Sequence, residues 1–306
     1  MFFSKYKLSS KKDSSLICLT EKEITALQIK AKHTPQSFSE STKISAESMA
    51  GDLQSRIRGA GIDFEENKPY QTGSDSRHIN WRTYARTQQL YVNIYNEDKR
   101  PSTYVVLDQR QNMYFGTRQQ LKIKQALNFA VYSIFRAMHQ QQIVSGVQIT
   151  DKPHWHSVYS GANSILSFIH ELNTPFYHDN NANNEPTLND VINKLQLTDG
   201  SELIIISDFH DMNKETISRL YHLSRKFKIN LVRVLDPVEV ELPTKGHFDL
   251  QNNTDLKPIY VNCNNQLLTD TYKQTIHDEF SEYRIQCKNM GINLITYLTT
   301  DNVFFD

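Results

Sequence analysis

No run in this 306-residue chain approaches the ~18 consecutive apolar residues of a membrane-spanning helix. The opening MFFSKYKLSSKKDSSLICLT carries lysines but no continuous apolar core, so it does not read as a secretory signal. Cysteine is scarce: Cys18, Cys263 and Cys287 are odd in number, far apart and without a CxxC pair. That argues against a disulfide framework or a zinc site, and for free thiols in a reducing compartment, the cytoplasm by default. Net charge is absent too. Lys+Arg and Asp+Glu each total 34, so no overall attraction to nucleic acid or an anionic membrane follows. There is no GxxxxGK[ST] and no GxSxG, which excludes a P-loop nucleotidase and a hydrolase elbow. Gly59-Ala-Gly61 is no dinucleotide fingerprint, because Phe64 holds the third glycine position and no helical pattern follows.

What remains is the composition of an ordinary globular protein, 38% hydrophobic and 22% charged. Residues 1–50 read as a polar leader with one helix and a linker. Thr20 followed by Glu23 suggests a capping box for EKEITALQIKAKH. Residues 51–100 are turn-rich and β-like, punctuated by Gly59, Gly61, Pro69 and Gly73, with strand composition in QQLYVNIYNED. From 101 to 306 strands and helices alternate: STYVVL, then LKIKQALNFAVYSIFRAM, IVSGVQI, NSILSFIHEL, TLNDVINKL, ELIIIS, KETISRLYHLSRKF, NLVRVL, a long helix near 267–289, and INLITYL. Alternation of this kind, with continuous apolar strands, predicts a three-layer α/β domain whose mostly parallel sheet is covered on both faces. Asp108 follows YVVL and Asp208 follows LIIIS, which puts two carboxylates on the rim where such sheets bind ligands.

The segment SRIRGAGIDFEENKPYQTGSDSRHINWRTYARTQQLYVNIYNED resembles the signature of the bacterial family called domain of unknown function 58. The matching residues are Gly59, Gly61, Phe64, Tyr70, Gly73, Asp75, Arg77, Ile79, Trp81, Ala85, Arg86 and Thr87; Asn80 and Ser74 depart from the pattern, standing where acids are usual. The resemblance runs from about residue 50 to the end. It implies a second half like a von Willebrand factor A domain, with a cation site built from Asp-x-Ser-x-Ser, a later threonine and a later aspartate. Asp108, Thr187 and Asp208 fall on three of these positions, but Arg110 and Asn112 replace the two serines. The resemblance also implies a MoxR-type AAA+ ATPase as partner and an adaptor role, in the family's short form without membrane spans.

Mg²⁺ needs near-octahedral oxygen ligation, which arginine cannot supply. The expectation is therefore a degenerate site with no bound metal and no cofactor. Arg110 either bridges Asp108 and Asp208 as an internal cation or points to solvent from a polar turn. Two rival functions stand beside the adaptor. One is a metal-dependent hydrolase using Asp108, Asp208 and His210. The other is a nucleic-acid module in residues 51–100, where eight cations face seven acids, too little excess for a phosphate-tracking groove. Those charges are expected to pair with one another, with Arg77 and Arg86 structural and Trp81 a buried anchor. His154 and His156 share a strand face without a third ligand, so they read as a partly exposed strand rather than a zinc site.

Overall fold

The computed structural model describes residues 2–3, 14–33, 64–69, 79–95, 101–176, 185–251 and 259–304. In chain order the elements are β1 (Phe2–Phe3), α1 (Ser14–Ile17), α2 (Glu21–His33), β2 (Phe64–Pro69), α3 (Trp81–Thr87), β3 (Tyr91–Tyr95), β4 (Ser102–Asp108), α4 (Lys122–His139), β5 (Ile143–Ile149) and β6 (Pro153–Tyr159). They continue with α5 (Ala162–Leu172), α6 (Leu188–Asn193), β7 (Glu202–Ser207), α7 (Lys214–Ser224), β8 (Lys228–Leu235), α8 (Pro237–Val240), β9 (His247–Gln251), β10 (Ile259–Asn262), α9 (Gln266–Asn289) and β11 (Asn293–Leu298). The chain divides into two units: residues 43–100, and residues 1–42 together with 101–306.

The larger unit is built on a six-stranded sheet of order β11-β8-β7-β4-β5-β6. Every pairing is parallel except that of the edge strand β6, which runs antiparallel to β5. Successive residues of a strand point to opposite faces. Val105 and Leu107 therefore join one apolar cluster with α4 and α5, while Tyr104 and Val106 join the other with α6 and α7. Both faces are covered, as the continuous apolar runs YVVL and LIIIS require. From β4 the chain passes to β5 on one side and returns on the other with β7. That places the change of direction, and the C-terminal ends of β4 and β7, at one crevice. Among the described residues this unit also holds a small antiparallel sheet, β1-β9-β10.

The leader's helix, and the leader as far as residue 42, belongs to this unit, while residues 43–50 fall in the other. Thr20 Oγ1 accepts from the Glu23 backbone N–H at 3.3 Å, and Glu23 accepts from the Thr20 N–H at 2.7 Å, the expected capping box. Ile24, Leu27 and Ala31 recur at helical spacing and bury their side chains in the cluster that contains α4. Cover from α2 on one side and the sheet on another leaves α4 buried nearly all round. Leu27 is fully buried. Leu27→Ala should cost about 3 kcal/mol by the usual transfer and cavity contributions. Chemical denaturation would read it, and a change under about 0.5 kcal/mol would show that the leader adds nothing to the core.

The smaller unit pairs β2 with β3 in antiparallel register, and α3 lies between them in sequence. This helix is absent from the turn-rich reading of residues 51–100. Its local logic is clear: Asn80 is the N-cap and its side chain accepts from the Thr83 N–H at 2.9 Å. Asparagine serves that purpose as well as the acid usual there. Trp81 corrects the expectation of a buried anchor. It is 63% exposed, with an edge-on contact to Tyr84 at 6.2 Å. Trp81→Ala should therefore shift stability by no more than about 0.5 kcal/mol, a surface-site effect. A thermal melt showing several kcal/mol would restore the anchor. Arg86 is likewise exposed on α3, whereas Gly59, Gly61, Tyr70, Gly73, Asp75 and Arg77 lie outside the described residues, as does the side chain of Phe64.

Candidate functional site: an ion-paired rim above the sheet

Strand β4 ends on Asp108, and β7 ends one residue before Asp208, as expected of the rim. After Asp208 the chain turns through Phe209, whose φ of 57° is left-handed. For a non-glycine residue that conformation stores of order 1 kcal/mol. The turn is stabilised by the Phe209 N–H donating to Ser207 Oγ at 3.0 Å. It brings Asp208, His210 and Asp211 into one short loop facing the end of β4.

Arg110 points inward and is buried. Its five N–H groups meet five acceptors. Nε donates to Asp108 Oδ1 at 3.0 Å and Nη2 to Asp108 Oδ2 at 2.7 Å. Nη2 also donates to Asp211 Oδ1 at 3.1 Å, and Nη1 to Asp211 Oδ2 at 2.5 Å. The last Nη1 bond, at 3.3 Å, goes to the Pro186 carbonyl. Of the two alternatives for this residue, the internal cation is the one found. One detail is corrected: the second acid that Arg110 clamps is Asp211, not Asp208. The left-handed turn at Phe209 makes the difference, since it swings Asp211 back over the end of β4.

Asp208 has its own cation. Lys122, fully buried at the start of α4, places Nζ 2.8 Å from Asp208 Oδ2 and 2.8 Å from Glu239 Oε1. His210 adds its Nδ1 at 2.8 Å from Asp208 Oδ1. Neither Lys122 nor Glu239 stands out in the sequence. The available signal is Lys122 in the first turn of an apolar helix, where the helix dipole disfavours a cation. A further rim acid, Asp236, is fully buried and fastens the loop at Thr117 (Oγ1 at 2.5 Å) to Thr299 after β11 (Oγ1 at 2.9 Å).

The electrostatics follow from burial competing with these contacts. Burial opposes the Arg110 charge, but the charges and hydrogen bonds of Asp108 and Asp211 outweigh it and raise its pKa. Lys122 behaves likewise between Asp208 and Glu239. Burial would raise Asp208, yet Lys122 and His210 hold it well below the usual carboxylate range. Asp211 is held down against burial by Arg110. His210 is pulled down by burial and pushed up further by Asp208, so its net shift is upward. A histidine raised in the folded state adds stability below its unfolded pKa, about 6.5, and loses it as pH rises through the folded value. The Tm advantage of the wild type over His210→Gln should then be larger at pH 5.5 than at pH 8.5; an equal gap at both would contradict this pairing.

Residues at the remaining positions of the implied cation site do other work. Thr187 caps α6: its Oγ1 accepts from the Asp190 N–H at 3.1 Å and donates to Asp190 Oδ2 at 2.7 Å. Its backbone neighbours join the cluster, Pro186 through Arg110 and Leu188 through its N–H to Asp211 at 2.8 Å. Asn112 is buried in the 3-10 turn at Gln111–Met113. The donor set does not fit a divalent cation. Asp108 is occupied by Arg110 and by Ser207 Oγ at 2.6 Å, and Asp208 by Lys122 and His210. Two fixed positive charges sit where a dication's charge would be needed.

Away from the rim, His154 and His156 lie on edge strand β6. His156 bonds Glu171 at 3.0 Å and Gln148 at 2.8 Å. Among the described residues no group of three or more His, Cys, Asp or Glu could hold a metal. Beside the rim, burial lowers the pKa of Arg233, whose guanidinium stacks on Phe280 at 3.8 Å. Among the described helices, none is long and apolar enough to cross a membrane.

Comparison with known proteins supplies the family. No curated protein matches the chain. A solved structure, the conserved hypothetical protein BatB from Bacteroides thetaiotaomicron, is similar at 12% identity and a TM-score of 0.42, over 64% of this chain and 90% of that one. The family model described as protein of unknown function DUF58 matches residues 66–282. With that much of its length matched, this chain belongs to the DUF58 family.

Proposed function

We propose that this chain is a non-enzymatic interaction protein, an adaptor that presents the rim above β4 and β7 to a MoxR-type AAA+ ATPase in the maturation of other proteins. The observation that carries the reading is the charge arrangement. Asp108, Asp208 and Asp211 are held by Arg110 and Lys122, in positions where the resemblance implies a divalent cation. Interior cations fix the loops above the sheet in one shape without any exchangeable ligand. A rigid scaffold carrying shaped loops is suited to protein recognition. In this reading the implied metal-ion-dependent adhesion site is degenerate, and its acids support a surface instead of a reaction. The exposed face of that surface includes His210 and, at the start of α7, Lys214.

The test is binding of the purified chain to its cognate MoxR-type ATPase, by biolayer interferometry in ATP-analogue, ADP and nucleotide-free states. Saturable association is expected in at least one state, weakened about tenfold or more by Lys214→Glu, a change of roughly 1.4 kcal/mol. Lys214 is exposed outside the ion-pair cluster, so its substitution leaves the fold in place. Absence of association in all three states would remove the adaptor reading.

A further inference from the structure

A cation beside the rim lacks a counter-charge. Arg233 lies near the C-terminal end of β8, in register with Ser207, the last residue of β7. It shares a strand face with Ile229 and Leu231, in the cluster that includes Leu220 of α7 and Cys287 of α9. Only 9% of the residue is exposed. Its guanidinium lies over the Phe280 ring of α9, 3.8 Å from the centroid. Among the described residues it makes no ion pair and no hydrogen bond. Burial opposes its charge, and Asp208, Glu279 and Glu239 offset that only in part, from a distance. Two of those acids, Asp208 and Glu239, are already held by Lys122.

A guanidinium carries five N–H donors. In Arg233 the Nε group is shut off from solvent without an acceptor, whereas Nη1 and Nη2 are neither paired nor shut off. The terminal edge of the fork is therefore the part that a ligand can reach, and stacking on Phe280 holds its plane. Beside it is a recess lined by Phe209, Met212, Tyr283 and Leu294. Its volume is about 10 Å³, room for one small group and not for a whole metabolite. At its wall the Tyr283 hydroxyl is loosely engaged, 3.5 Å from the Met212 carbonyl.

Chemistry narrows what the fork can take. A guanidinium edge pairs best with a planar carboxylate or a phosphate. A dianion would meet the field of Asp208, Glu239 and the exposed Glu279 with one cation in its favour, so the singly charged carboxylate loses least. The recess admits that group and leaves its carrier outside, on the rim surface that the adaptor reading assigns to protein recognition. We propose that Arg233 receives the carboxylate of an aspartate or glutamate side chain on the protein that docks at the rim. This rests on the adaptor reading for the identity of that protein, and adds the group it must contribute.

The test has two arms. In the first, the full chain labelled with nitrogen-15 arginine is titrated at about pH 8 with N-acetyl-aspartate N-methylamide, its asparagine counterpart and inorganic phosphate. The Arg233 resonances should move saturably with the aspartate compound, at lower concentration than with phosphate, and not with the asparagine compound. In the second, Arg233→Met should weaken association with the MoxR-type ATPase about tenfold or more. Its Tm should stay within about 2 °C of the wild type, because methionine still packs on Phe280 and the lost charge had no counter-charge. Arg233→Lys, which keeps the charge without the fork, should recover only part of the affinity. No saturable response, a response to the asparagine compound or a stronger one to phosphate would each overturn the proposal. So would ATPase binding indifferent to Arg233→Met, or a large fall in Tm, which would make the guanidinium a structural prop. An ATPase that fails to bind the wild type removes the adaptor reading alone; the titration still decides whether Arg233 takes a carboxylate.

Discussion

Arg110→Ser should destabilise the chain by about 3–5 kcal/mol, the range for removing one partner of a buried ion pair. The loss comes less from the missing attraction than from what stays behind. Asp108 and Asp211, both drawn to the guanidinium within 2.5–3.1 Å, would face each other with no counter-charge. The serine restores one hydroxyl that a cation site would want, which on its own would favour rescue by Mg²⁺. Lys122 argues against that, because its ammonium remains 2.8 Å from Asp208 and repels an incoming dication. The wild type should show no Mg²⁺ or Mn²⁺ binding tighter than about 1 mM by calorimetry. The Arg110→Ser, Asn112→Ser double variant should gain little stability from added metal. Millimolar or better Mg²⁺ binding by the wild type would refute the misfit of the donor set. An Arg110→Ser variant as stable as the wild type would refute the clamp.

How much of this was readable beforehand follows from the range of the interactions. The strand ends at Asp108 and Asp208 were legible because a continuous apolar run ending in an acid needs only local sequence to be recognised. Arg110 was legible as an oddity, a fixed positive charge two residues after a rim acid. Its second partner was not, because the choice of Asp211 over Asp208 depends on the backbone turning left-handed at Phe209, which is not a residue that advertises such a turn. Lys122 and Glu239 were invisible for a different reason. Their contact joins positions far apart in sequence, and each side chain reads locally as solvated charge at a helix. The leader shows the converse: Ile24, Leu27 and Ala31 carry a helical stripe, but nothing local says that α4 is what it covers. Trp81 misled because a large aromatic in a patterned segment suggests burial, while α3 is a short helix that leaves its rings exposed.

Lys122→Met should be comparably damaging, again about 3–5 kcal/mol at neutral pH. Methionine fills most of the volume of the lysine stem, so the result isolates the charge. With the ammonium gone, Asp208 keeps only His210, and Glu239 loses its buried partner. The pH dependence distinguishes this account from simple misfit. In the wild type the folded-state pKa of Asp208 is depressed, so its stabilising contribution is present above the unfolded value and is lost as pH falls through the depressed one. In the variant, burial, the largest influence on this carboxyl already in the wild type, is opposed by His210 without Lys122, and the pKa is expected to rise above the unfolded value. A group raised in that way adds stability below its unfolded pKa, so the deficit against the wild type should shrink from pH 7 towards pH 4. Adding Asp208→Asn should recover a substantial part of the deficit at pH 7, because the residue left without a cation is then uncharged. Denaturant titrations of the wild type, both single variants and the double variant at the two pH values complete the cycle. A deficit that is equal at both pH values and unrelieved by Asp208→Asn would mean that Lys122 is held by shape, and that the charge of the rim is balanced in some other way.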